Sequence, residues 1–314
     1  MAVFKTDTAI GQRESLSGVI ARIDPSDVPL YANMKKETTK AINHEFLVQE
    51  LAAAVDTNAQ NEGADYSYAD PEALVRLGNI HQIATKAGSV SGTLDAVDRA
   101  GRDRETAFVK VSKGLELRKD INKSFYKNEA KSSSDPRKCA KLPTWITNGS
   151  FPSDMAAATG DGSDLADFTG TARAMTLAQI DAAMLAAYND GGNPSMLLMS
   201  PVNKQNFSAL SSGSVATNQI TMTAPKEATI IGSASVYLSD FNTLSVTVDR
   251  ACPNSEVYLI DPEFVCMGTL SGRDMAVGDV APTGDATKFF VQSEYTLIVK
   301  APKAHAIIAG LNGS

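Results

Sequence analysis

The residues that carry most enzyme and metal chemistry are sparse in this chain. Its histidines are His44, His81 and His305. The first two fall in segments that could pair as strands, where they could face each other as metal ligands or catalytic bases. Solvated strand positions are the simpler interpretation. His305 lies in a terminal strand pattern and is most simply structural. No GxSxG, GxxxxGK[ST], GxGxxG or HExxH motif is present.

Other candidates for chemistry are equally weak. Residues 161–164 (DGSD) resemble a fragment of a calcium loop, but they lack the alternating oxygen ligands and the closing Glu of such a site. A surface loop is the favoured interpretation. Cys139 follows two cationic residues, yet no histidine lies near it in sequence, which favours an inert thiol. The cysteines are odd in number and widely spaced: Cys139, Cys252 and Cys266. This pattern favours a reducing compartment and argues against a zinc site, and disulfides between subunits remain an alternative. We expect no cofactor and no metal.

Charge is concentrated in one segment. Residues 99–138 contain twelve Lys/Arg and six Asp/Glu, a local charge of +6 in a chain of net charge −7, so the remainder carries −13. Lys119, Lys123 and Lys127 repeat at intervals of four. This face is either simply solvated or directed at a polyanion. Phosphate attraction needs no base-reading geometry, and no nucleic-acid recognition motif is present, so any such contact would be non-specific.

Length and composition describe globular material. At 314 residues, with 43% hydrophobic and 21% charged residues, the chain could hold two domains, each with a core. No run of about 18 apolar residues predicts a membrane span. The opening residues, MAVFKTDTAIGQRESLSG, lack the apolar core of a secretory signal.

The N-terminal third is predicted to be extended. In residues 1–41, Pro25 and Pro29 bias the residues before them away from helix, so we expect an arm. Residues 42–56 and 76–93 alternate like the two strands of a long hairpin with little apolar surface. A lone hairpin is marginal in water, so this one needs a surface supplied by another molecule.

Helix and strand alternate in the rest of the chain. A narrow apolar stripe predicts one long helix over 101–131. A second helix is predicted at 176–189, a buried strand at 196–200 and a further helix from Pro201, which implies a compact α/β layer. From about residue 228 the pattern is that of β-strands.

Several short phrases, in this order of elements, resemble tailed-bacteriophage major capsid proteins of the Hong Kong 97-like fold, an α+β fold. The phrases are residues 23–30 (IDPSDVPL), 44–46 (HEF), 58–63 (NAQNEG), 79–83 (NIHQI), 90–93 (VSGT), 101–102 (GR) and 294–297 (EYTL). One branch of these proteins has a Trp where Phe46 stands, and either aromatic side chain can anchor a hairpin.

The resemblance implies a division of the whole chain. Its expected parts are an N-terminal arm (1–41), an extended-loop hairpin (42–97), a peripheral domain (98–172) with a spine helix (101–131), an axial domain (173–270) and return strands of the peripheral domain (271–314). By the resemblance, the arm and hairpin would lie on neighbouring subunits, and the axial domains would meet around five-fold and six-fold axes.

The implied function is that of a major capsid (head) protein. Such a protein assembles in the host cytoplasm into pentamers and hexamers of an icosahedral virion shell around double-stranded DNA. Fewer than fifty residues precede the first predicted element, so we expect a separate scaffold protein and little or no N-terminal cleavage. A portal protein is a further expected partner, and no membrane is expected. The sequence does not decide whether a decoration protein binds the shell. The alternatives are an encapsulin-like nanocompartment shell and an α/β enzyme with an unrecognised site.

Two sets of residues follow as site candidates. The candidates for contact between subunits are Ile23, Pro25, Pro29, Leu30, His44, Phe46, Tyr66, Tyr68 and His81. The candidates for facing DNA are Lys119, Lys123 and Lys127.

Overall fold

The structure, a computed structural model, describes residues 27–49, 51–52, 54–63, 65, 68, 70, 73–97, 104–213, 235–282 and 284–313. The α-helices in these ranges are α1 (Pro29–Asn33), α2 (Gly92–Ala96), α3 (Glu105–Phe125), α4 (Leu142–Trp145), α5 (Leu177–Asn189) and α6 (Pro201–Gly213). The strands are β1 (Lys35–Thr39), β2 (Asn43–Val48), β3 (Val75–Ile80), β4 (Gln82–Ser91), β5 (Asn148–Ser150), β6 (Met196–Met199), β7 (Val236–Leu238), β8 (Thr243–Val248), β9 (Val257–Ile260), β10 (Val265–Leu270), β11 (Ala276–Val280), β12 (Ala286–Val299) and β13 (Ala306–Ile308).

The first sheet is built around the long strand β12. One edge of β12 pairs with β4, and its other edge pairs with β11 and then with β10, all antiparallel. Strand β1 adds to β10 in parallel. Helix α3 lies on one face of this sheet, where Lys86 of β4 meets Asp120 at 2.6 Å and Lys110 meets Asp279 of β11 at 2.8 Å. The helix is therefore attached to strands on both sides of β12.

The second sheet has six strands in the order β5-β13-β9-β6-β8-β7. Its central strand β6 is buried at every position, which is the pattern expected of a strand covered on both faces. Helix α5 contributes Ile180, Ala183 and Met184 to the core on this sheet, and α6 contributes Phe207. The predicted helix at 176–189, strand at 196–200 and helix from Pro201 are confirmed within one or two residues.

A buried polar network joins the two sheets. The Asn122 side chain of α3 and the Tyr126 hydroxyl both donate to Asp249 Oδ2 at 2.8 Å, just after β8. The side-chain oxygen of Asn122, Oδ1, accepts a hydrogen bond from the backbone N–H of Tyr31 in α1 at 2.9 Å. Because a buried carboxylate must be hydrogen-bonded to be tolerated, this network holds α1, α3 and the end of β8 together.

Two expectations about the N-terminal third are wrong. The predicted arm reached residue 41, but α1 begins at Pro29, where the missing N–H and fixed φ of proline suit the first helical turn. Leu30 is then only 1% exposed, inside the chain's own core. The predicted return strand 76–93 is interrupted at His81: β3 pairs with β2, whereas β4 joins β12.

The spine helix is shorter than the predicted range 101–131, since its described part ends at Phe125. Beyond Phe125, hydrogen bonds to residues 162–166 replace the hydrogen bonds of the helix. The backbone N–H of Lys131 donates to Gly162 O at 2.9 Å, and the Asn128 side chain donates to Ala166 O at 2.6 Å. The expected return strands also divide between the sheets, because β12 lies in the first and β13 in the second. Strand β10, expected in the axial domain, lies in the first sheet.

Within the described residues, no helix is both long enough and apolar enough to cross a bilayer.

Candidate assembly surfaces

The two-stranded sheet of β2 and β3 stands apart from the larger sheets and is held at its root. The buried Asn79 side chain donates to Leu297 O at 2.7 Å and to Ala140 O at 3.1 Å, and it accepts from the Ala140 N–H at 2.8 Å. Lys131 Nζ donates to Gly78 O at 3.0 Å. These bonds satisfy backbone groups of three segments, so the root is part of the subunit's own core.

His81 belongs to this root and not to an exposed surface. It is fully buried, and its Nδ1 lies 2.9 Å from Ile42 O while its Nε2 lies 2.7 Å from Thr39 Oγ1. A carbonyl only accepts, so Nδ1 carries the proton, and Nε2 contacts the Thr39 hydroxyl, which also donates to Thr269 O at 3.1 Å. Burial lowers the pKa of His81 and keeps the ring neutral. The interpretation of His81 as a residue that contacts another subunit is not supported by this position.

The expected facing of His44 and His81 is wrong. In the register of β2 and β3, His44 lies opposite Asn79. His44 instead lies beside Phe46, with ring centroids 6.4 Å apart, and Phe46 packs against Trp145 at 6.1 Å. The inward face of β2 therefore packs on the same chain. No group of three or more His, Cys, Asp or Glu side chains in the described part of the chain could hold a metal.

The outward face and the far end of this sheet expose apolar side chains. Leu47 is 62% exposed, Leu51 89% and Tyr68 92%. We call this set the hairpin tip: Leu47, Leu51, Val55, Tyr68, Leu74 and Val75. Only Tyr68 was predicted from the sequence. Alternation along β2 was the available signal for Leu47, because Phe46 faces inward and its neighbour must face outward.

Three of the predicted contact residues, Ile23, Pro25 and Tyr66, lie outside the described residues. Two others, Pro29 and Leu30, belong to α1, and Leu30 packs in the core that also contains Leu117 and Ile121 of α3.

The three predicted DNA-facing lysines do not form one continuous row. Lys119 is half-buried and Lys123 is exposed, both on α3. Lys127 lies past the end of the helix and pairs with Glu129 at 2.9 Å, a carboxylate that also meets Lys138 at 3.1 Å. The interval of four that suggested a ladder therefore ends with the helix.

A groove of about 450 Å³ runs beside Lys123 and the end of α3. It is lined by Asp120, Lys123, Ser124, Tyr126, Lys127, Ala251 and Pro253. Its acidic member, Asp120, is engaged by Lys86. The groove therefore presents lysine side chains above a largely apolar floor.

The second sheet exposes a further apolar set at its β7 edge, which the sequence-based candidates missed. The Tyr188 ring of α5 and the Phe241 ring contact each other at a tilt of 33°, with centroids 5.0 Å apart, and both are exposed. We call this set the β7 edge patch: Leu185, Tyr188, Val236, Leu238 and Phe241.

The remaining titratable candidates are bonded within the subunit, and all of them except Asp161 are buried. Asp261 N–H donates to His305 Nδ1 at 3.1 Å, and burial lowers the pKa of His305 to about 3, which agrees with the structural role expected for it. Asp161 Oδ1 accepts from the Ser163 and Thr159 side chains of its own loop. Three thiols are free and buried: Cys139, Cys252 and Cys266.

Comparisons with known proteins point in one direction. A family model described as SU10 major capsid protein matches residues 3–312. The major capsid protein of Escherichia phage Phieco32 is 26% identical over 122 residues, which are 39% of this chain and 35% of that protein. The chain therefore matches about a third of the length of this curated relative.

Solved structures share the fold at low identity. The capsid asymmetric unit of cyanophage A-1(L) has a TM-score of 0.70 at 12% identity and covers 96% of this chain and 97% of its own. The capsid of the native GTA particle has a TM-score of 0.66 at 12% identity, covering 99% and 100%. The SrpI encapsulin of Synechococcus elongatus has a TM-score of 0.58 at 9% identity, covering 100% and 98%. The expected Hong Kong 97-like fold is confirmed by these likenesses.

Proposed function

The chain belongs to the SU10 major capsid protein family, and on that premise we propose that it is the major capsid subunit of a tailed bacteriophage. Identical copies assemble into pentamers and hexamers of an icosahedral shell around double-stranded DNA. The observation that carries this proposal is the family match over residues 3–312, which leaves almost none of the chain for another activity. Its family and fold are those of a structural protein and not of an enzyme.

The hairpin tip supports self-association. Soluble monomers rarely expose large contiguous apolar patches, and such patches mark interaction sites. Leu51 and Tyr68 are almost entirely exposed, although the root of the same sheet is firmly bonded. A rigid root and an apolar far end suit a segment that projects onto a neighbouring subunit. In this proposal the hairpin tip, and not Leu30 or His81, makes the contact.

The two sheets take the two domain roles. We assign the first sheet with α3 to the peripheral domain and the second sheet with α5 and α6 to the axial domain. The β7 edge patch is the part of the axial domain that meets its copies around the five-fold and six-fold axes. Exposed Tyr188 and Phe241 support this assignment, because aromatic side chains are enriched in protein interfaces.

The side of α3 that carries Lys119 and Lys123, which we call its lysine side, faces the packaged DNA. Exposed Lys123 supports this orientation, as does the groove beside it, whose one acidic lining residue is already paired. Contact of this kind is with phosphates and is independent of base sequence.

Further partners follow from the capsid role. A separate scaffold protein directs assembly in the host cytoplasm, a portal occupies one vertex, and the finished subunit resides in the virion. The intact mass of the subunit from mature heads tests the expectation of little or no N-terminal cleavage.

The test of the main proposal is assembly of the purified full chain. Negative-stain images and sedimentation should reveal closed shells or pentamers and hexamers as concentration rises. A monomer at every concentration would overturn the proposal. Nuclease-resistant DNA in particles from infected cells would separate a phage head from an encapsulin-like compartment, which encloses protein cargo instead.

A further inference from the structure

A lysine and a cysteine contact each other in the buried interior that contains Leu30. Lys141 and Cys139 are both fully buried, and Lys141 Nζ lies 2.9 Å from Cys139 Sγ. The Gln82 side-chain oxygen accepts from Lys141 Nζ at 2.8 Å and lies 3.6 Å from Cys139 Sγ. The amide thus holds both reactive atoms in one place.

The surroundings give this amine few other polar partners. Ser124 Oγ lies 3.5 Å from Lys141 Nζ, and the Tyr295 and Phe125 rings lie at 5.1 and 5.9 Å. The hydrogen-bond acceptors around the amine are therefore an amide, a hydroxyl and the thiol, not a carboxylate. A buried ammonium in such a place is favoured by the neighbouring Cys139 and Tyr295 and by the carboxylate of Glu129.

The surroundings of Lys141 act on its charge in opposite directions. Burial lowers the pKa of Lys141, while Cys139, Tyr295 and Glu129 raise it, and the net result is a pKa above its usual value. At 2.9 Å, the lysine nitrogen and the cysteine sulfur are close enough for one oxygen atom to bridge them.

The pair lies close to the groove beside α3. Ser124 lines this 450 Å³ groove, and its hydroxyl also lies 3.5 Å from Lys141 Nζ. Dioxygen is small and apolar enough to enter a close-packed interior that excludes larger oxidants.

We propose that the folded subunit is modified by dioxygen to form a nitrogen–oxygen–sulfur bridge between Lys141 Nζ and Cys139 Sγ. The amine and the thiol each lose one hydrogen, the O–O bond breaks, one oxygen atom bonds to both nitrogen and sulfur, and the other leaves as water. Nitrogen and sulfur each give up two electrons, which together reduce the dioxygen. The bridge removes the buried positive charge and is reversed by a thiol reductant.

The test is intact-mass and peptide analysis of folded full-length protein kept under air or under anaerobic conditions. The air-exposed protein should gain one oxygen atom and lose two hydrogen atoms. Under dioxygen labelled with a heavy oxygen isotope, the protein should carry one labelled oxygen atom. The peptide that contains Cys139 should carry the change and should resist trypsin after Lys141, because the bridged nitrogen is no longer cationic. Dithiothreitol should restore the original mass and the cleavage.

Cys252 provides the matched control, since it is a buried thiol whose contacts, 3.7 Å to Pro253 O and Glu256 O, are carbonyls and not an amine. Cys252→Ser should keep the mass gain, whereas Cys139→Ser and Lys141→Arg should lose it. Wild-type protein held unfolded in denaturant under the same dioxygen should also lack it, which separates the bridge from general oxidation. An unchanged mass in folded, air-exposed wild type, or the same gain in Cys139→Ser, would overturn the proposal.

Discussion

At the residue scale, burial separates polar groups that hold the subunit together from those that could meet a partner. Asn79 and His81 lie in a stretch that reads as a polar strand, yet both are fully buried and hydrogen-bonded to the same chain. An Asn side chain can donate twice and accept, so it can satisfy backbone groups from several segments at once. Sequence pattern alone cannot separate such a residue from a solvated one.

Glu256 makes a pH-dependent prediction at this scale. It is 6% exposed, and burial raises its pKa to about 6, an effect that the Tyr258 and Ser255 hydroxyls offset in part. The folded state therefore holds the proton more tightly than the unfolded state. The contribution of Glu256 to stability is greatest below its ordinary pKa of 4.5 and is lost as pH rises through about 6. The cost of the buried anion at neutral pH is about 2 kcal/mol.

Glu256→Gln should therefore raise the free energy of unfolding at pH 7.5 by up to about 2 kcal/mol and leave it nearly unchanged at pH 4.5. Denaturant unfolding at the two pH values, at one fixed protein concentration, measures the difference. Glu263 is an exposed carboxylate three residues after the end of β9, and Glu263→Gln should have little effect at either pH. Equal effects of the two substitutions would contradict the assignment to Glu256.

At the element scale, the short sheet of β2 and β3 combines a bonded root with an apolar far end. The expectation that this hairpin has little apolar surface was wrong for that far end, where Leu47 and Leu51 are exposed. The expectation that it lies on another subunit remains a prediction. The two observations agree physically, because exposed apolar side chains gain most from a surface that covers them.

Leu47→Ser tests this role of the hairpin. Covering a leucine contributes roughly 1.5–3 kcal/mol, so the concentration needed for assembly should rise by about tenfold or more. The stability of the unassembled subunit should change by less than about 0.5 kcal/mol, because the side chain is on the surface there. Light scattering against concentration measures assembly, and denaturant unfolding measures stability.

Leu165 is a suitable control for Leu47, since it is also a leucine and is 57% exposed against 62%. Leu165→Ser should assemble like the wild type. Should Leu47→Ser assemble at the wild-type concentration, or Leu165→Ser fail equally, the hairpin tip would not be the interface.

At the scale of the whole molecule, the two sheets are joined by α3 and by the Asp249 network. The lysine side of α3 includes Lys123, which is exposed in the subunit. The DNA-facing orientation of that side is best tested at Lys123, which is exposed and on the helix, because Lys127 is already paired with Glu129. Lys123→Glu should lower the temperature at which purified heads release their DNA. The reason is that reversing one charge replaces phosphate attraction with repulsion, an effect that salt weakens.

Lys40→Glu is the control for this experiment, since Lys40 is another exposed lysine, just after β1. It makes the same change in net charge at a different place. If both variants release DNA at the same temperature, the lysine side of α3 does not face the lumen.

Much of the element content was predictable because it depends on local pattern. The helix, buried strand and helix between residues 176 and 213 were predicted from apolar spacing and a proline at a helix start. The strands from β8 to β13 lie in the region after residue 228 that was predicted to be β-rich. The capsid family, expected from short phrases and element order, is confirmed by the match over residues 3–312.

The sequence by itself determined the types of most elements after residue 104, the family and the scarcity of catalytic groups, since each depends on residue types and their spacing along the chain. Only the tertiary structure decided that β4 pairs with β12 and not with β2, that Leu30 enters the core, and that β13 joins the second sheet. The physical reason is that strand pairing and burial are contacts between distant segments. A strand pattern indicates that the segment needs a neighbouring strand, but the packing of the whole chain selects which strand that is.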